Sequence, residues 1–360
     1  MLNALDYLSW RGDLTFSGSP VNEVDLFIFS QLATPDYTGI IDREDKKGLT
    51  IPEAVGKYFE LHPNDEESLG LLQSKFVLPL LKRIRDTARF REVRLCCFEK
   101  KFDESSSEQF QAVTLILPTK DIVVSYRGTD DTIIGWKEDC NLAVVERVPA
   151  QQDALDYLRE VLKMFSFRHY YTVGHSKGGN LSLFAPAMLE KRLQKRLVGG
   201  YSFDGPGFSE SFLKMPGYEE VKDRLVTILS QYAIIGTLLD PAGKRVVVKS
   251  SVKGLYAHDG FYWGVEGTRF LKEARLSDDS LNFERSMKKT LSGLNTEERQ
   301  RFVDDLFGAL LSTGAVTLTE LHGKDLLTRL GMIRKIGGTP AIQNFVRMLF
   351  ENYLKADKQA

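Results

Sequence analysis

The segment TVGHSKGGN, residues 172–180, contains the pattern G-x-S-x-G from Gly174 to Gly178. A short run of β-branched and aromatic residues precedes this pattern, and a helix-like stretch follows it. A strand-to-helix turn of this kind holds its serine in a strained conformation with Oγ exposed, and the helix N-terminus behind the serine favours negative charge. At Gly174 and Gly178 a Cβ would collide with the neighbouring strand or helix. The pattern therefore predicts that Ser176 is a nucleophile.

The alternative interpretation of this segment is a glycine-rich turn with a passive serine. A phosphate-binding loop is excluded because GHSKGGNLS lacks the G-x-x-x-x-G-K-[ST] spacing.

A serine nucleophile needs a general base, and in this arrangement the chain order is serine, acid, histidine. Of the five histidines, His62 and His169 precede Ser176, and His175 lies inside the turn. His258, in GLYAHDGFYW, follows a predicted strand and is the predicted base. The alternatives are that His258 is a loop histidine bonded to backbone, or that His322, in a C-terminal helical segment, is the base.

Two aspartates are candidates for the acid that orients the imidazole. Asp204, in FDGPG, ends the first strand after the Ser176 helix, and Asp240, in LLDPAG, lies on a turn before the strand RVVVKS. We rank Asp204 first and Asp240 second, with turn capping as the alternative role for both. Asp259 adjoins His258 and is expected to point away from it.

Hydrophobic periodicity indicates three regions along the chain. Residues 1–90 carry helical periodicity and form an α-rich N-terminal segment that packs on the core. In residues 91–266 an antiparallel meander (VRLCCFEKKF, QFQAVTLILP, DIVVSYRG) is followed by alternating strands and helices, as a mostly parallel central sheet flanked by helices requires. Residues 267–360 return to helical periodicity and form a possible lid or cap. The predicted fold class is α/β.

Three motifs occur in the same chain order as in a known protein family. The strand-ending Arg127-Gly128-Thr129, the following G-W-x-x-D of residues 135–139 and the G-H-S-x-G-G of residues 174–179 together resemble the class 3 lipases, a branch of the α/β-hydrolase fold. Within that branch, LDYLSWRGDLTF, FDGPGF and AHDGFYW are similar to a family of mostly uncharacterised bacterial lipase-like proteins. The resemblance runs from the N-terminus to about Val265.

The resemblance implies an oxyanion hole. Thr129 would contribute its backbone N–H and its hydroxyl, and Lys177 would contribute its backbone N–H. Arg127 is expected to brace this loop through a carboxylate, with Asp139 as the candidate. The alternative is that RGTDD is only a tight turn that ends a strand.

Two departures from the class 3 pattern are visible. That pattern places the acid in an Asp-x-Val-Pro stretch, but the corresponding segment here is YAIIG, with Ala233 at the aspartate position. The residue after the nucleophile is commonly apolar, but here it is Lys177. We expect its ammonium to reach solvent, with a position at the rim of the site, where it would favour negatively charged substrates, as the alternative.

Aromatic side chains are dense in the candidate loops. They could line an acyl pocket or belong to the core. They are Trp136, Phe208, Tyr256, Phe261, Tyr262 and Trp263.

Composition bears on the partners and the cellular compartment of the protein. Lys plus Arg number 48 against 49 for Asp plus Glu, so charge favours neither a nucleic acid nor a membrane surface as partner. The three cysteines, Cys96, Cys97 and Cys140, are odd in number and lack CxxC spacing, which predicts reduced thiols. No secretory signal and no membrane-spanning stretch is visible in the sequence. These features predict a cytoplasmic protein without stable membrane insertion.

The expected activity is cleavage of a small-molecule carboxylic ester through an acyl-enzyme intermediate, with no cofactor and no metal. A thioesterase, amidase or acyltransferase would use the same residues. A non-catalytic binding protein that kept the fold is the alternative from a different class, and Ala233 is the feature in its favour. The oligomeric state stays open.

Overall fold

The central element is an eight-stranded sheet whose strands follow one another in sequence order. The computed structural model describes residues 1–63, 74–103, 108–130, 132–317, 320–321 and 326–357. The strands of the sheet are β1 (Leu49–Thr50), β2 (Arg94–Asp103), β3 (Glu108–Ile116), β4 (Ile122–Tyr126), β5 (Tyr170–His175), β6 (Leu197–Phe203), β7 (Leu225–Ser230) and β8 (Lys244–Val248). A separate antiparallel pair is formed by β9 (Val265–Glu266) and β10 (Arg269–Phe270).

The sheet begins antiparallel and continues parallel. Strands β1 to β4 pair antiparallel, and the pairs from β4 to β8 are all parallel. The predicted meander is therefore confirmed, although residues 104–107 of its first turn lie outside the described residues. The parallel part is confirmed as well, and the carboxyl ends of β4, β5 and β6 meet at one edge of the sheet.

Fourteen helices surround the sheet within the described part of the chain. They are α1 (Ala4–Arg11), α2 (Glu23–Gln31), α3 (Ile51–Leu61), α4 (Val77–Ile84), α5 (Ile133–Asn141), α6 (Pro149–Met164), α7 (Lys177–Ala187), α8 (Lys191–Gln194), α9 (Glu210–Leu213), α10 (Pro216–Val221), α11 (Asp278–Ser292), α12 (Thr296–Leu311), α13 (Leu326–Gly338) and α14 (Pro340–Asp357). Short 3₁₀ turns include Gly254–His258 and Gly260–Tyr262.

The order of the parallel strands decides which face the connecting helices cover. Because β4 to β8 advance in one direction, right-handed crossovers all fall on the same face of the sheet. Helices α6, α7 and α10 pack there, and Val124 and Tyr126 of β4 point into this layer. Val123, directly before Val124, points to the opposite face, as the two-residue period of a strand requires.

The opposite face is covered by the N-terminal helices. Phe27 of α2 contacts Phe203, Phe261, Trp263 and Phe270 at ring centroid distances between 5.2 and 6.0 Å. Residues 1–90 therefore supply the second helical layer of an α/β sandwich. The three-domain division itself stays a prediction.

The N-terminal layer holds a fully buried ion pair. Arg89 Nη2 donates to Asp25 Oδ2 at 2.5 Å, and neither side chain is exposed. Arg89 also donates to the carbonyl oxygens of Leu14, Ser19 and Pro20. This one guanidinium thus ties the first 25 residues to the segment that leads into β2.

The C-terminal helices pack on one another and on α5. Helix α11 contacts α14, while Val303 and Phe307 of α12 pack against Ile133 of α5. Among the described residues, no helix is both long and apolar enough to cross a bilayer.

Candidate active site

Ser176 lies at the sharp turn between β5 and α7. Its backbone has φ 58° and ψ −129°, a conformation that L-residues rarely adopt and that is retained where the surroundings enforce it. A Cβ on Gly174 would come 2.0 Å from Gly178 O, and a Cβ on Gly178 would come 2.2 Å from Tyr126 O. The steric interpretation of both glycines is therefore confirmed. The turn holds a partly exposed serine at the first turn of a helix.

The imidazole of His258 is oriented by Asp204. His258 ends the 3₁₀ turn Gly254–His258, and its Nδ1 lies 2.6 Å from Asp204 Oδ2. Because an ionised carboxylate only accepts hydrogen bonds, this contact assigns a proton to Nδ1 and leaves the Nε2 lone pair of the neutral ring as an acceptor. That is the tautomer a general base needs.

Asp204 occupies an unusual position directly after β6. It is fully buried, its φ is 50°, and its N–H donates to Ile228 O at 2.8 Å. Its second oxygen, Oδ1, has no hydrogen-bond partner in the described structure. A Cβ on Gly236 would come 2.4 Å from Oδ1, so the chain packs closely over the carboxylate.

The other two aspartates considered, Asp240 and Asp259, have different hydrogen-bond partners from Asp204. Asp240 Oδ1 accepts from Lys288 Nζ at 2.7 Å, and both side chains are exposed. Asp259 accepts from Ser74 Oγ at 2.7 Å and from the N–H of Phe261, so its carboxylate points away from the imidazole, as expected. His322 lies outside the described residues.

His175 links the serine turn to His258. Its Nε2 donates to His258 O at 2.8 Å, and the two ring centroids are 4.5 Å apart. Burial, with His258 as a second cause, lowers the pKa of His175 to about 3, so this ring is neutral at physiological pH. Sequence reasoning set His175 aside because it lies inside the motif, and its bond to a residue 83 positions away has no local signal.

No hydrogen bond joins Ser176 Oγ to His258 Nε2 in the described structure. Bonds between a nucleophile and its base are often long before substrate binds and shorten in the complex. The contact between His175 and His258 nevertheless brings the imidazole to the residue that adjoins Ser176.

The loop after β4 passes directly over the serine turn. A Cβ on Gly128 would come 2.8 Å from His175 O and 3.2 Å from Ser176 Cβ, so only glycine fits there. Thr129, the next residue, donates its hydroxyl to Asp139 of α5 through a short hydrogen bond. Burial raises the pKa of Asp139 to about 6, although Lys177 and the Thr129 hydroxyl act in the opposite direction.

The expected bond between Arg127 and Asp139 is wrong. Arg127 Nη1 donates to Gln111 Oε1 at 2.9 Å, and the Arg127 N–H donates to Gln111 O. The physical reason is register. Arg127 follows β4 and continues its pairing with β3, which turns the guanidinium toward Gln111 and leaves Asp139 to Thr129.

The expectation that the Lys177 ammonium reaches solvent is also wrong, and so is the rim alternative. The side chain is fully buried and forms an ion pair with Glu138 at 2.7 Å. The sequence carried no signal for this pair, because Glu138 lies 39 residues away from Lys177 along the chain.

Ala233, at the position of the expected class 3 acid, is buried beside Leu229 and Leu276. The carboxylate that contacts the His258 imidazole comes instead from Asp204, at the end of a different strand.

The aromatic residues divide between core and surface. Phe208, Phe261 and Trp263 are buried in the core. Trp136 and Tyr256 are 40% and 75% exposed, on α5 and on the turn that ends at His258. Tyr262 is half-buried, and these three are the aromatic residues of the set that could line a substrate path. Within the described residues no group of three or more His, Cys, Asp or Glu side chains could hold a metal ion.

A mostly parallel sheet between two helical layers, with a strained serine at a strand-to-helix turn, defines an α/β-hydrolase fold. The Mbeg1-like family matches residues 84–308, and the chain belongs to this family.

The chain is similar to two solved fungal lipases. The native propeptide complex of the Rhizomucor miehei lipase is 13% identical, with 62% of this chain and 67% of that chain covered and a TM-score of 0.37. Lipase II from Rhizopus niveus is 12% identical, with 63% and 80% covered and a TM-score of 0.38. Similarities of this size identify neither an activity nor a substrate. No curated protein matches the chain.

Proposed function

We propose that this protein is a serine hydrolase that cleaves carboxylic esters through an acyl-enzyme intermediate. One observation carries the proposal, and it is a chain of contacts that begins at Ser176, held at φ 58° on a strand-to-helix turn. The next residue back, His175, contacts the ring of His258, and His258 Nδ1 lies 2.6 Å from the buried carboxylate of Asp204. A passive glycine-rich turn would need neither the strained serine nor the buried carboxylate behind the histidine.

The proposed reaction begins when Ser176 Oγ attacks the ester carbonyl and His258 Nε2 takes the serine proton. Asp204 holds the Nδ1 proton and stabilises the imidazolium. The N–H groups of Thr129 and Lys177 receive the oxyanion, and each such donor contributes on the order of 3 kcal/mol. His258 then protonates the leaving alcohol and activates a water that hydrolyses the acyl-enzyme. No step requires a cofactor.

The proposed substrate class, partners and compartment rest on the sequence. A small-molecule acyl ester is the proposed substrate, and the balanced charge favours no nucleic-acid partner. The free thiols of Cys96, Cys97 and Cys140 fit a reducing compartment. The cytoplasmic location and the bacterial origin stay predictions.

The proposal is tested with p-nitrophenyl esters of increasing acyl length. We expect Ser176→Ala and His258→Ala each to lower kcat by about 10⁴- to 10⁶-fold. Ser166→Ala and His169→Ala, at exposed positions outside the site, are the matched controls and keep wild-type rates. Urea unfolding of each variant verifies that it is folded.

A fluorophosphonate probe measures the nucleophile independently of the ester. Labelling of the wild type and not of Ser176→Ala supports a reactive serine. Labelling without ester turnover redirects the search to thioesters, amides or acyl acceptors other than water. A wild type that neither turns over nor is labelled contradicts the proposal and leaves a binding protein.

A further inference from the structure

The side chain of Lys177, directly after the nucleophile, is fully buried in a complete hydrogen-bond shell. Its Nζ donates to Glu138 Oε2 at 2.7 Å, to Gln109 Oε1 at 2.7 Å and to Gln109 O at 2.6 Å. The three protons of an ammonium thus have three acceptors. The cation cannot act on substrate by reaching solvent.

Glu138 is equally enclosed and equally satisfied. Besides Lys177, its Oε2 accepts from the Gln109 N–H at 3.2 Å, and its Oε1 accepts from the Ala150 N–H at 2.9 Å. The Glu138 side chain is 1% exposed. One carboxylate therefore fixes four segments to one another: the start of β3, helix α5, the first turn of α6 and the first turn of α7.

Helix α5 contributes one bond to each of the two residues that carry the proposed oxyanion donors, Thr129 and Lys177. Glu138 forms an ion pair with the side chain of Lys177, and its neighbour Asp139 accepts a hydrogen bond from the hydroxyl of Thr129. Adjacent positions on one helix thus set the spacing between the loop after β4 and the turn after β5. Oxyanion stabilisation depends on donors held within about 0.5 Å of the productive geometry.

Stability alone gives a weak reason for this ion pair. Replacement of a buried ion pair by apolar residues of similar volume is often neutral or stabilising, because the desolvation cost of two charges disappears. What apolar packing cannot reproduce is the set of directed bonds from one carboxylate to an ammonium and two backbone N–H groups.

We infer that Lys177 and Glu138 form a positioning pair that holds the two oxyanion donors at their working separation. The inference rests on the proposed function. Neither side chain touches substrate, and both act through the backbone N–H of Lys177 and the loop that carries Thr129.

The test compares wild type with the double variant K177M/E138L, which removes both charges and keeps a filled core. The single variant K177M is not the primary test, because it leaves a buried unpaired carboxylate and unfolding would obscure its effect. The control is R245M/E284L, which removes the half-buried ion pair between β8 and α11, away from the serine turn. Urea unfolding, kcat and KM for p-nitrophenyl butyrate, and Ki for a trifluoromethyl ketone analogue of its acyl part are measured for each.

We expect K177M/E138L to fold, with an unfolding midpoint in urea below that of wild type, because the buried N–H groups of Gln109 and Ala150 lose their acceptor. Its kcat falls by about 10- to 100-fold with KM within a factor of two, because the lost geometry matters only in the transition state. Its Ki for the trifluoromethyl ketone, whose hemiketal oxyanion occupies the same donors, rises by a similar factor. The control keeps wild-type kcat and Ki.

Glu138→Gln is the second arm, because it keeps the length of the side chain and removes its charge. It leaves the buried Lys177 ammonium without a counter-charge, so its kcat and Ki are compared once urea unfolding shows that it is folded. A folded Glu138→Gln or K177M/E138L variant with wild-type kcat and wild-type Ki overturns the inference, while an active wild type leaves the proposed function standing. A wild type that is inactive and resists the fluorophosphonate probe refutes the proposed function itself. The two failures are therefore distinguishable.

Discussion

Asp204 and Asp240 were both candidates for the acid, and they now form a matched pair for mutation. Asp204→Asn keeps the shape of the side chain but removes the charge that holds the proton on His258 Nδ1. We expect kcat/KM for p-nitrophenyl esters to fall by about 10⁴-fold. Asp240→Asn breaks only an exposed contact with Lys288 and should leave kcat/KM within about twofold. Equal losses in the two variants would contradict the assignment.

His175 gives the folded protein a specific pH dependence. Its pKa is lowered from 6.5 to about 3, so below pH 6.5 the unfolded chain binds a proton at this residue and the folded chain does not. Acid therefore favours unfolding, by up to about 1.4 kcal/mol per pH unit between pH 6.5 and 3. His175→Gln removes this contribution, and the exposed His169→Gln does not.

The measurement is urea unfolding of wild type and both variants between pH 5 and 8. We expect the free energy of unfolding to depend less steeply on pH below 6.5 in His175→Gln than in the other two proteins. Parallel curves for all three would show that His175 is protonated as easily in the folded state as in the unfolded chain.

At the residue scale, the sequence predicted what local spacing determines. Ser176 is recognisable from its flanking glycines, and chain order leaves His258 and His322 as the histidines that follow it. Asp204 could only be ranked, because its bond to His258 spans 54 residues and depends on where β6 ends relative to the 3₁₀ turn. Lys177 was misjudged for the same reason. A lysine next to a nucleophile reads as solvated until the burial of Glu138 is known.

At the scale of elements, the serine turn depends on glycines that allow α7 to approach β4. Gly178→Ala would place a Cβ 2.2 Å from Tyr126 O, a backbone atom that cannot swing aside. We expect a loss of about 3 kcal/mol or more in the free energy of unfolding, together with loss of fluorophosphonate labelling. The measurement is urea unfolding at pH 7, followed by labelling of the folded fraction.

Gly56→Ala is the control within the same chain. Gly56 lies in the middle of α3, where an added Cβ meets no atom within 4 Å. We expect this change to stabilise the protein by about 0.5–1 kcal/mol, since alanine is the better helix former. A Gly178→Ala protein as stable and as reactive as wild type would show that the turn relaxes around the extra methyl group.

Element types were predictable because each has its own period. The strand-like run VRLCCFEKKF and the helical spacing in DALDYLREVLKMF correspond to β2 and α6. Their partners were not predictable in the same way. The positive φ of Cys97, at a bulge in β2, and the packing of α12 on α5 arise from contacts distant in sequence. Periodicity carries no information about such contacts.

At the scale of the whole molecule, the two faces of the sheet have different origins. Connections between parallel strands cover one face by handedness alone, and only a segment outside the alternating region can cover the other. The N-terminal helices do so, and Phe27 packs between Phe203, which precedes Asp204, and Phe261, which follows His258. The N-terminal layer thus supports the segments of Asp204 and His258 from beneath, although it contains none of the proposed catalytic residues.

The buried ion pair between Asp25 and Arg89 anchors that layer. Asp25→Asn leaves the guanidinium charge buried without its counter-charge, and we expect it to lower the free energy of unfolding by about 3–5 kcal/mol. Asp240→Asn, which breaks an exposed ion pair, should cost less than about 1 kcal/mol. Urea unfolding at pH 7 measures both variants under the same conditions.

Phe27 lies two residues beyond Asp25 on α2. A change at Asp25 that weakens the packing of α2 should therefore also alter the geometry of the candidate site. We expect Asp25→Asn to lower kcat for p-nitrophenyl esters at temperatures well below its own unfolding midpoint, whereas Asp240→Asn keeps the wild-type rate. A strongly destabilised Asp25→Asn protein with wild-type kcat would mean that β5, β6 and the His258 turn hold the catalytic geometry without the helices beneath them. A loss of both stability and kcat would make residues 1–90 part of the working site.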